Sequence, residues 1–269
     1  TGVNTEHMVC LLEMDETAGS TAADTSPHGA ANSGTLGGDA MWAAGHTGGG
    51  VFLDGDGDKI SLADSADINT TSCAQRTVSV WFSAENTAVD TRKQVIYEEG
   101  AGVRGLNIYL YAGRLYAGGW NESESGWSGT WLSTSAVTSA QWHHVCLVLD
   151  GGQSVQPGAI TVYLDGAEFG TGPGSQLWAH GGDIGVGAVN DGTKFHDTGD
   201  FSGDGHVFAG TVDELRIYNR SLTAGEAAVL SGSLTEKEIA PLSENSTDTD
   251  TDGDGVSDTT EQENGTNPY

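Results

Sequence analysis

Basic residues are scarce in this chain of 269: 10 Lys plus Arg stand against 38 Asp plus Glu, for a net charge of −28. Phosphate recognition needs a basic patch, so nucleic acid and anionic membrane surfaces are excluded as partners. No run approaches the ~20 consecutive apolar residues of a membrane span, which excludes membrane insertion. Hydrophobic content is only 36% and glycines number 41, a composition of many turns and few helices. Three cysteines, Cys10, Cys73 and Cys146, allow at most one internal disulfide. No Cys-x-x-Cys pair is present, so zinc ribbons and thioredoxin-type chemistry find no support. Cys10 and Cys146 lie in apolar runs and are expected as buried thiols. There is no Gly-x-Ser-x-Gly elbow, phosphate loop or dinucleotide fingerprint. Neither an initiator Met nor a signal peptide stands at Thr1, so a mature or excised piece of a longer chain with further domains is expected.

What is present is β pattern. Residues 142–149 put His143, Val145, Leu147 and Leu149 on one face and Trp142, His144, Cys146 and Val148 on the other, a strand apolar on both sides. A polar loop follows, then Ile160, Val162 and Leu164 alternate with Thr161 and Tyr163. Asp165-Gly166 supplies a two-residue turn, since both residues tolerate positive φ. This predicts an antiparallel meander at the middle of a sheet. Short strands are also predicted at 8–14, 51–53, 60–62, 77–82, 94–97, 105–111, 114–117, 184–189 and 207–218. Long polar loops are predicted at 15–50, 118–130 and 190–206. One segment reads as helix: Thr223 and Glu226 form a capping box before Ala227-Ala228-Val229-Leu230. The fold class is therefore all-β, a two-sheet antiparallel sandwich with one short C-terminal helix and functional groups on its rim loops.

After residue 232 the hydrophobic period stops. Residues 233–247 read as a linker and 248–269 as a separate acidic unit. Asp250, Asp252 and Asp254 alternate, then come Gly255, Asp258 and Glu261. That is the ligand spacing of a twelve-residue calcium loop, in which the Val256 carbonyl adds an oxygen and Glu261 closes bidentately. The expected cofactor is Ca²⁺. By contrast, Asp54, Asp56 and Asp58 alternate but put Lys59 at the place of the glycine, so they read as a solvated hairpin tip.

Residues 1–232 resemble the laminin-G-like jelly roll of the concanavalin A-like superfamily. The resemblance rests on an ordered set of pieces. They are Leu-Leu-Glu-Met-Asp-Glu-Thr-Ala-Gly (11–19), Asp-Thr-Ser-Pro-His-Gly (24–29), Phe-Leu-Asp-Gly-Asp-Gly-Asp (52–58), Thr-Val-Ser-Val-Trp-Phe (77–82), Trp-His-His-Val (142–145), Val-Tyr-Leu-Asp-Gly (162–166) and the run from Phe208 to Leu222. Residues 248–269 resemble a thrombospondin type-3-like calcium repeat. The first resemblance implies a structural cation where the N-terminal loop meets the closing strand, at Asp24, Asn32 and Asp213. Alternation with Leu215 and Ile217 turns Asp213 inward, where a carboxylate needs a partner.

Trp120, Trp127 and Trp131 sit near Tyr109, Tyr111 and Tyr116 in a polar setting, and sugars stack their C–H faces on such rings. They are the candidate ligand-binding residues, whereas Trp81 and Trp142 read as core. Asp197 and Asp200, in the loop with Asp191, His196, Asp204 and His206, are candidates for a bound sugar or cation. Sandwich glycosidases of the superfamily carry Glu-x-Asp-x-x-Glu. Glu13-Met-Asp15-Glu16 starts that pattern but has Ala18 at its last place, and no other strand offers a same-face carboxylate pair. His143 and His144 lie mid-strand without a Ser or Cys partner. The expected function is a non-catalytic, calcium-binding module of an extracellular or cell-surface protein that binds carbohydrate or a surface partner. The alternatives are a structural spacer and a polysaccharide hydrolase or lyase.

Overall fold

The computed structural model describes residues 3–27 and 30–235. They form two 8-stranded antiparallel sheets packed face to face, with a two-stranded hairpin set against one of them. The first sheet runs Ala167–Gly174, Gln156–Leu164, Trp142–Asp150, Gln75–Ala84, Ala209–Tyr218, Gly49–Asp54 and Met41–Ala44, and Met8–Leu12 also pairs with Ala209–Tyr218. The second runs Trp127–Thr134, Arg114–Asn121, Arg104–Tyr111, Gln94–Gly100, Ile184–Val186, Lys59–Leu62, Gly34–Gly37 and Thr21–Ala22. Val78, Val80 and Phe82 of the first sheet and Leu106, Ile108 and Leu110 of the second share one fully buried core between the layers. The all-β sandwich read from the alternation is the fold observed.

The meander forms as expected, but it occupies one edge of the first sheet instead of its middle. Its turn has Asp165 at φ 50° and Gly166 at φ 82°. The two histidines before it are structural. His143 Nδ1 lies 2.8 Å from Asp165 Oδ2, and His144 N donates to Asp165 Oδ1 at 2.8 Å. Burial pushes the Asp165 carboxyl up, but the hydrogen bonds from His143 and the His144 amide outweigh it and hold the group below its ordinary range. His143 Nε2 accepts from Thr138 N at 3.0 Å, so one ring ties the hairpin turn to the loop before its own strand. The helix is Ala224–Leu230 and carries the expected capping box. With Val3 and Met8 it covers Cys146, Tyr163 and Tyr218 on the outer face of the first sheet. Cys10 and Cys146 are buried free thiols.

The polar stretches are more ordered than their composition suggests. The stretch 15–50 contains the strands Thr21–Ala22, Gly34–Gly37 and Met41–Ala44. The stretch 118–130 is nearly all regular: Arg114–Asn121 continues through it, a short helix Glu122–Ser125 turns the chain, and Trp127–Thr134 returns. Glycine is needed inside it because the strands close tightly: a Cβ on Gly118 would sit 1.7 Å from the Thr130 carbonyl oxygen. The stretch 190–206 holds the hairpin of Gly192–Phe195 and Gly199–Ser202, which buries Phe195 against the second sheet. The calcium loop read at 250–261, and the linker from 236 onward, lie outside the described residues.

Candidate functional site

The outer face of the second sheet carries an aromatic shelf, and strand alternation builds it. Leu106, Ile108 and Leu110 point into the core, so Asn107, Tyr109 and Tyr111 point out. On the next strand Leu115 and Ala117 go in, leaving Arg114, Tyr116 and Gly118 outside. Register places Arg114 beside Tyr111, Tyr116 between Tyr109 and Ser133, and Gly118 between Asn107 and Trp131. With only hydrogen at Gly118, the Trp131 indole crosses that strand and donates Nε1–H to Asn107 Oδ1 at 2.9 Å. The Tyr109 and Tyr116 rings stack with centroids 5.2 Å apart. Rings of Tyr111, Tyr116 and Trp131 stay half-exposed.

The hairpin 192–202 borders this shelf. Asn107 Nδ2 pins it by donating to Thr193 Oγ1 at 3.1 Å and to the Lys194 carbonyl at 2.7 Å. His196, just past its first strand, lies flat on Tyr116 with centroids 4.1 Å apart and planes 14° apart. The Tyr109 hydroxyl accepts from His196 N at 3.3 Å and so turns its proton toward His196 Nδ1 at 2.6 Å. Burial lowers the His196 pKa. Lys93 Nζ sits 4.7 Å from the Tyr111 ring centroid and 2.8 Å from Asp197 Oδ1. Burial pushes the Asp197 carboxyl up, but the Lys93 hydrogen bond and the nearby positive charge prevail and hold it below its ordinary range. A flat run of rings fringed by hydroxyl, amine and guanidinium donors can take the apolar face and ring hydroxyls of a sugar.

Of the three tryptophans expected to bind ligand, only Trp131 is placed to do so. Trp120 is fully buried, donates Nε1–H to the Ala101 carbonyl at 2.9 Å and backs Trp131 from 6.0 Å. Trp127 is buried in the core with its Nε1–H on Thr130 Oγ1 at 3.1 Å. Each indole N–H has an internal acceptor, so a polar neighbourhood in sequence did not mean exposure. Trp81, read as core, is buried on the outer face of the first sheet beneath the His46 ring, which stacks on it at 3.5 Å, whereas Trp142, also read as core, is only half-buried and meets His46 edge-on. Asp197 and Asp200 are engaged by Lys93 and, at 3.9 Å, by Lys194. Tyr111, Tyr116 and His196 were named only as neighbours of the expected residues, and Arg114 was absent from the set. The alternation of Tyr109 and Tyr111 opposite the Leu106, Ile108 and Leu110 face was the signal that could have found the first two.

Asp24 and Asn32 come together, whereas Asp213 belongs to a different environment. Asp24 Oδ1 accepts from Leu11 N and Ser26 N, and its Oδ2 accepts from Asn32 N. Asn32 Oδ1 and Ser26 Oγ beside it are buried without a donor. Oxygens beside Asp24 are thus left unspent. Asp213 does not point into the core as alternation suggested. A bulge with Glu214 at φ 54° breaks the period, so Asp213 sits opposite Trp81 on the outer face, under the loop 45–49. Its Oδ2 accepts from Thr47 N at 3.0 Å and its Oδ1 is buried without a donor. Burial pushes its pKa up from 3.8 to about 7. The protonated form is the one the fold favours, so this stabilisation is complete below pH 3.8 and is lost as pH rises through about 7. Asp213→Asn is accordingly expected to raise stability by about 2 kcal/mol at pH 8 and to leave it nearly unchanged at pH 4, as read by thermal melts at both pH values. A lower melting temperature for the variant at pH 8, confined to calcium-containing buffer, would instead identify Asp213 as a cation ligand.

Two other features are less apt for a ligand. The acidic tip is solvated as read at Asp54 and Asp56, but Asp58 is buried: its carboxylate accepts from Asp39 N at 2.8 Å and Asp54 N at 3.0 Å, and ligand oxygens of Asp39, Asp54 and Asp58 fall within 4.8 Å of one another. Asp58 is thus committed to the backbone. A groove of about 400 Å³ lies at Asp15, Glu16, Thr17, Trp42 and Gly48 and offers a single aromatic ring, Trp42. Among the described residues no helix is long and apolar enough to cross a membrane.

Comparison with known proteins agrees with this geometry at the level of fold. Domain 4 of AbnA, a GH43 extracellular arabinanase from Geobacillus stearothermophilus, was solved in complex with arabinotriose. It superposes with a TM-score of 0.58 at 21% identity, over 83% of this chain and 98% of that one. The receptor-binding domain of the botulinum neurotoxin C/D mosaic serotype superposes at 0.61 with 13% identity, over 86% of this chain and 52% of that one. The binding domain of Paraclostridial Mosquitocidal Protein 1 does so at 0.60 with 15% identity, over 85% of this chain and 52% of that one. The chain thus spans about half of the toxin binding domains it matches. No curated protein matches it in sequence. The model of a laminin G-type family described as the concanavalin A-like lectin/glucanases superfamily matches residues 54–228, a span that begins at Asp54, stops within the C-terminal helix and includes every residue of the aromatic shelf, and the chain belongs to that superfamily.

Proposed function

We propose that this protein is a non-catalytic carbohydrate-binding module of a secreted or cell-surface protein, and that the ligand lies on the shelf of Tyr111, Tyr116 and Trp131. The observation that carries this reading is the set of half-exposed rings held rigidly on a sheet face, with Trp131 fixed by Asn107 and Tyr116 by its stack. Exposed aromatic surface of this kind is costly to a soluble protein unless it meets a partner. Support also comes from the arabinotriose-bound domain 4 of the extracellular arabinanase, which shares the fold. The fold serves glycosidases and binding domains alike, so the site, not the architecture, carries the proposal. Asp197, which borders the shelf, is bonded to Lys93, which makes it a poor general acid for glycoside hydrolysis. An immobilised-glycan panel tests the reading: retention of at least one glycan class, without release of reducing ends, is the expected result, and no retention on any class contradicts it.

We propose Ca²⁺ as the bound cation, at Asp24 with Asn32 and at the loop of Asp250, Asp252, Asp254, Val256, Asp258 and Glu261. Its role is to neutralise carboxylates that repel one another in a chain of net charge −28 and to stiffen the junction toward further domains. Chelation with EDTA is expected to lower the melting temperature, and an unchanged melt would contradict a resident ion.

A further inference from the structure

Resting on the shelf as the carbohydrate site, we infer that it selects sugars bearing an acidic substituent, a carboxylate or a sulfate ester, and that Arg114 reads that group. In so acidic a molecule a cation rarely goes without a carboxylate. Among the described residues Lys59, Arg76, Lys93, Arg104, Lys194, Arg216 and Arg220 each have one within 4.0 Å. Arg92 is the first exception, and its guanidinium is spent on the Val207 and Gly55 carbonyls, at 3.1 and 3.4 Å. Arg114 is the second, and it stands on the shelf.

Its side chain leans on Ser133, donating from Nε at 3.3 Å and from Nη2 to Oγ at 3.1 Å and to the carbonyl at 3.4 Å. Those bonds fix the plane of the guanidinium and leave Nη1 unspent among the described residues. Register sets Arg114 directly across from Tyr111 and one outward-facing position from Tyr116 on its own strand. A sugar seated between Trp131 and Tyr111, over the His196–Tyr116 stack, would bring an exocyclic acidic group within reach of that fork. Arginine suits this role better than lysine, because its planar donors meet two oxygens of one anion at once. The net charge of −28 bounds the ligand further. A polyanion would be repelled by the molecule as a whole, whereas an isolated acidic substituent on an otherwise neutral glycan would not.

The test titrates the whole chain with matched probes, glucuronate and galactose 6-sulfate against glucose and galactose, and follows the Trp131 indole and Arg114 Nε–H signals by NMR. Wild type is expected to bind at least one acidic probe about tenfold more tightly than its neutral partner, about 1.4 kcal/mol. Arg114→Gln should remove that preference, leaving the acidic probe no tighter than its neutral partner at an unchanged melting temperature, and Arg114→Lys should restore part of it. Equal affinity for acidic and neutral probes, or a preference that survives Arg114→Gln, overturns the inference but keeps the shelf. Shelf signals that stay still with every probe overturn both. A response to glucuronate alone assigns the carboxylate, and a response to the sulfate alone assigns the ester.

Discussion

Replacement of Arg76 by Met is expected to destabilise the protein by about 3–5 kcal/mol, the largest loss from any single polar side chain. Arg76 and Glu99 are both inaccessible to solvent, with side-chain exposures of 1% and 0%, and the guanidinium Nε lies 3.8 Å from Glu99 Oε1. The guanidinium also donates to the Ile68 carbonyl and to Asn219 Oδ1, while the Tyr97 hydroxyl donates to Glu99 Oε2 at 2.9 Å. One side chain thereby joins the loop before its strand, the end of the closing strand and a buried acid of the opposite sheet. Methionine fills much of the volume but leaves Glu99 with an uncompensated charge. Adding Glu99→Gln to Arg76→Met should recover part of the loss, because the remaining buried group is then neutral. Denaturant unfolding of the two variants at pH 7 measures both effects. A loss below about 1 kcal/mol for Arg76→Met would show that the pair contributes only what an exposed ion pair does.

Trp131→Ala is expected to weaken carbohydrate binding by about ten- to a hundredfold, the range of a central aromatic anchor. The indole is the largest of the half-exposed rings on the shelf, and its Nε1–H to Asn107 sets its tilt. Trp131→Phe should keep part of the affinity, since a ring remains while the bond to Asn107 is lost. Trp120→Phe serves as the contrast: Trp120 is buried behind Trp131, so its loss should lower stability through packing more than it lowers affinity. Calorimetric titration with a retained glycan, beside thermal melts, separates the two. Equal affinity of Trp131→Ala and wild type would move the ligand off the shelf.

The elements that local chemistry dictates were legible in the sequence. The positive-φ turn Asp165-Gly166 forms where two residues that tolerate that conformation stand together. The capping box at Thr223 and Glu226 forms as written, and strands with two apolar faces proved to be those covered on both sides. What failed were inferences that need a third dimension. Asp213 was placed on the wrong face because a bulge at Glu214, a non-glycine at φ 54°, shifts the alternation without any glycine or proline to mark it. Trp120 and Trp127 looked exposed because their sequence neighbours are polar, yet their covers come from Ala101 and Thr130 and from the opposite layer. His196 reaches Tyr116 from a hairpin whose two strands are each four residues long, too short for periodicity to register.

The most direct measurement follows the indole N–H resonances of Trp131 and Trp42 during titration with a retained oligosaccharide. Occupation of the shelf requires the Trp131 signal to move in a saturable way while Trp42, in the acidic groove on the far rim with its Nε1–H on the Gly19 carbonyl, stays still. Saturable movement of Trp42 with a silent Trp131 would contradict the shelf and place the ligand between Asp15, Glu16 and Trp42.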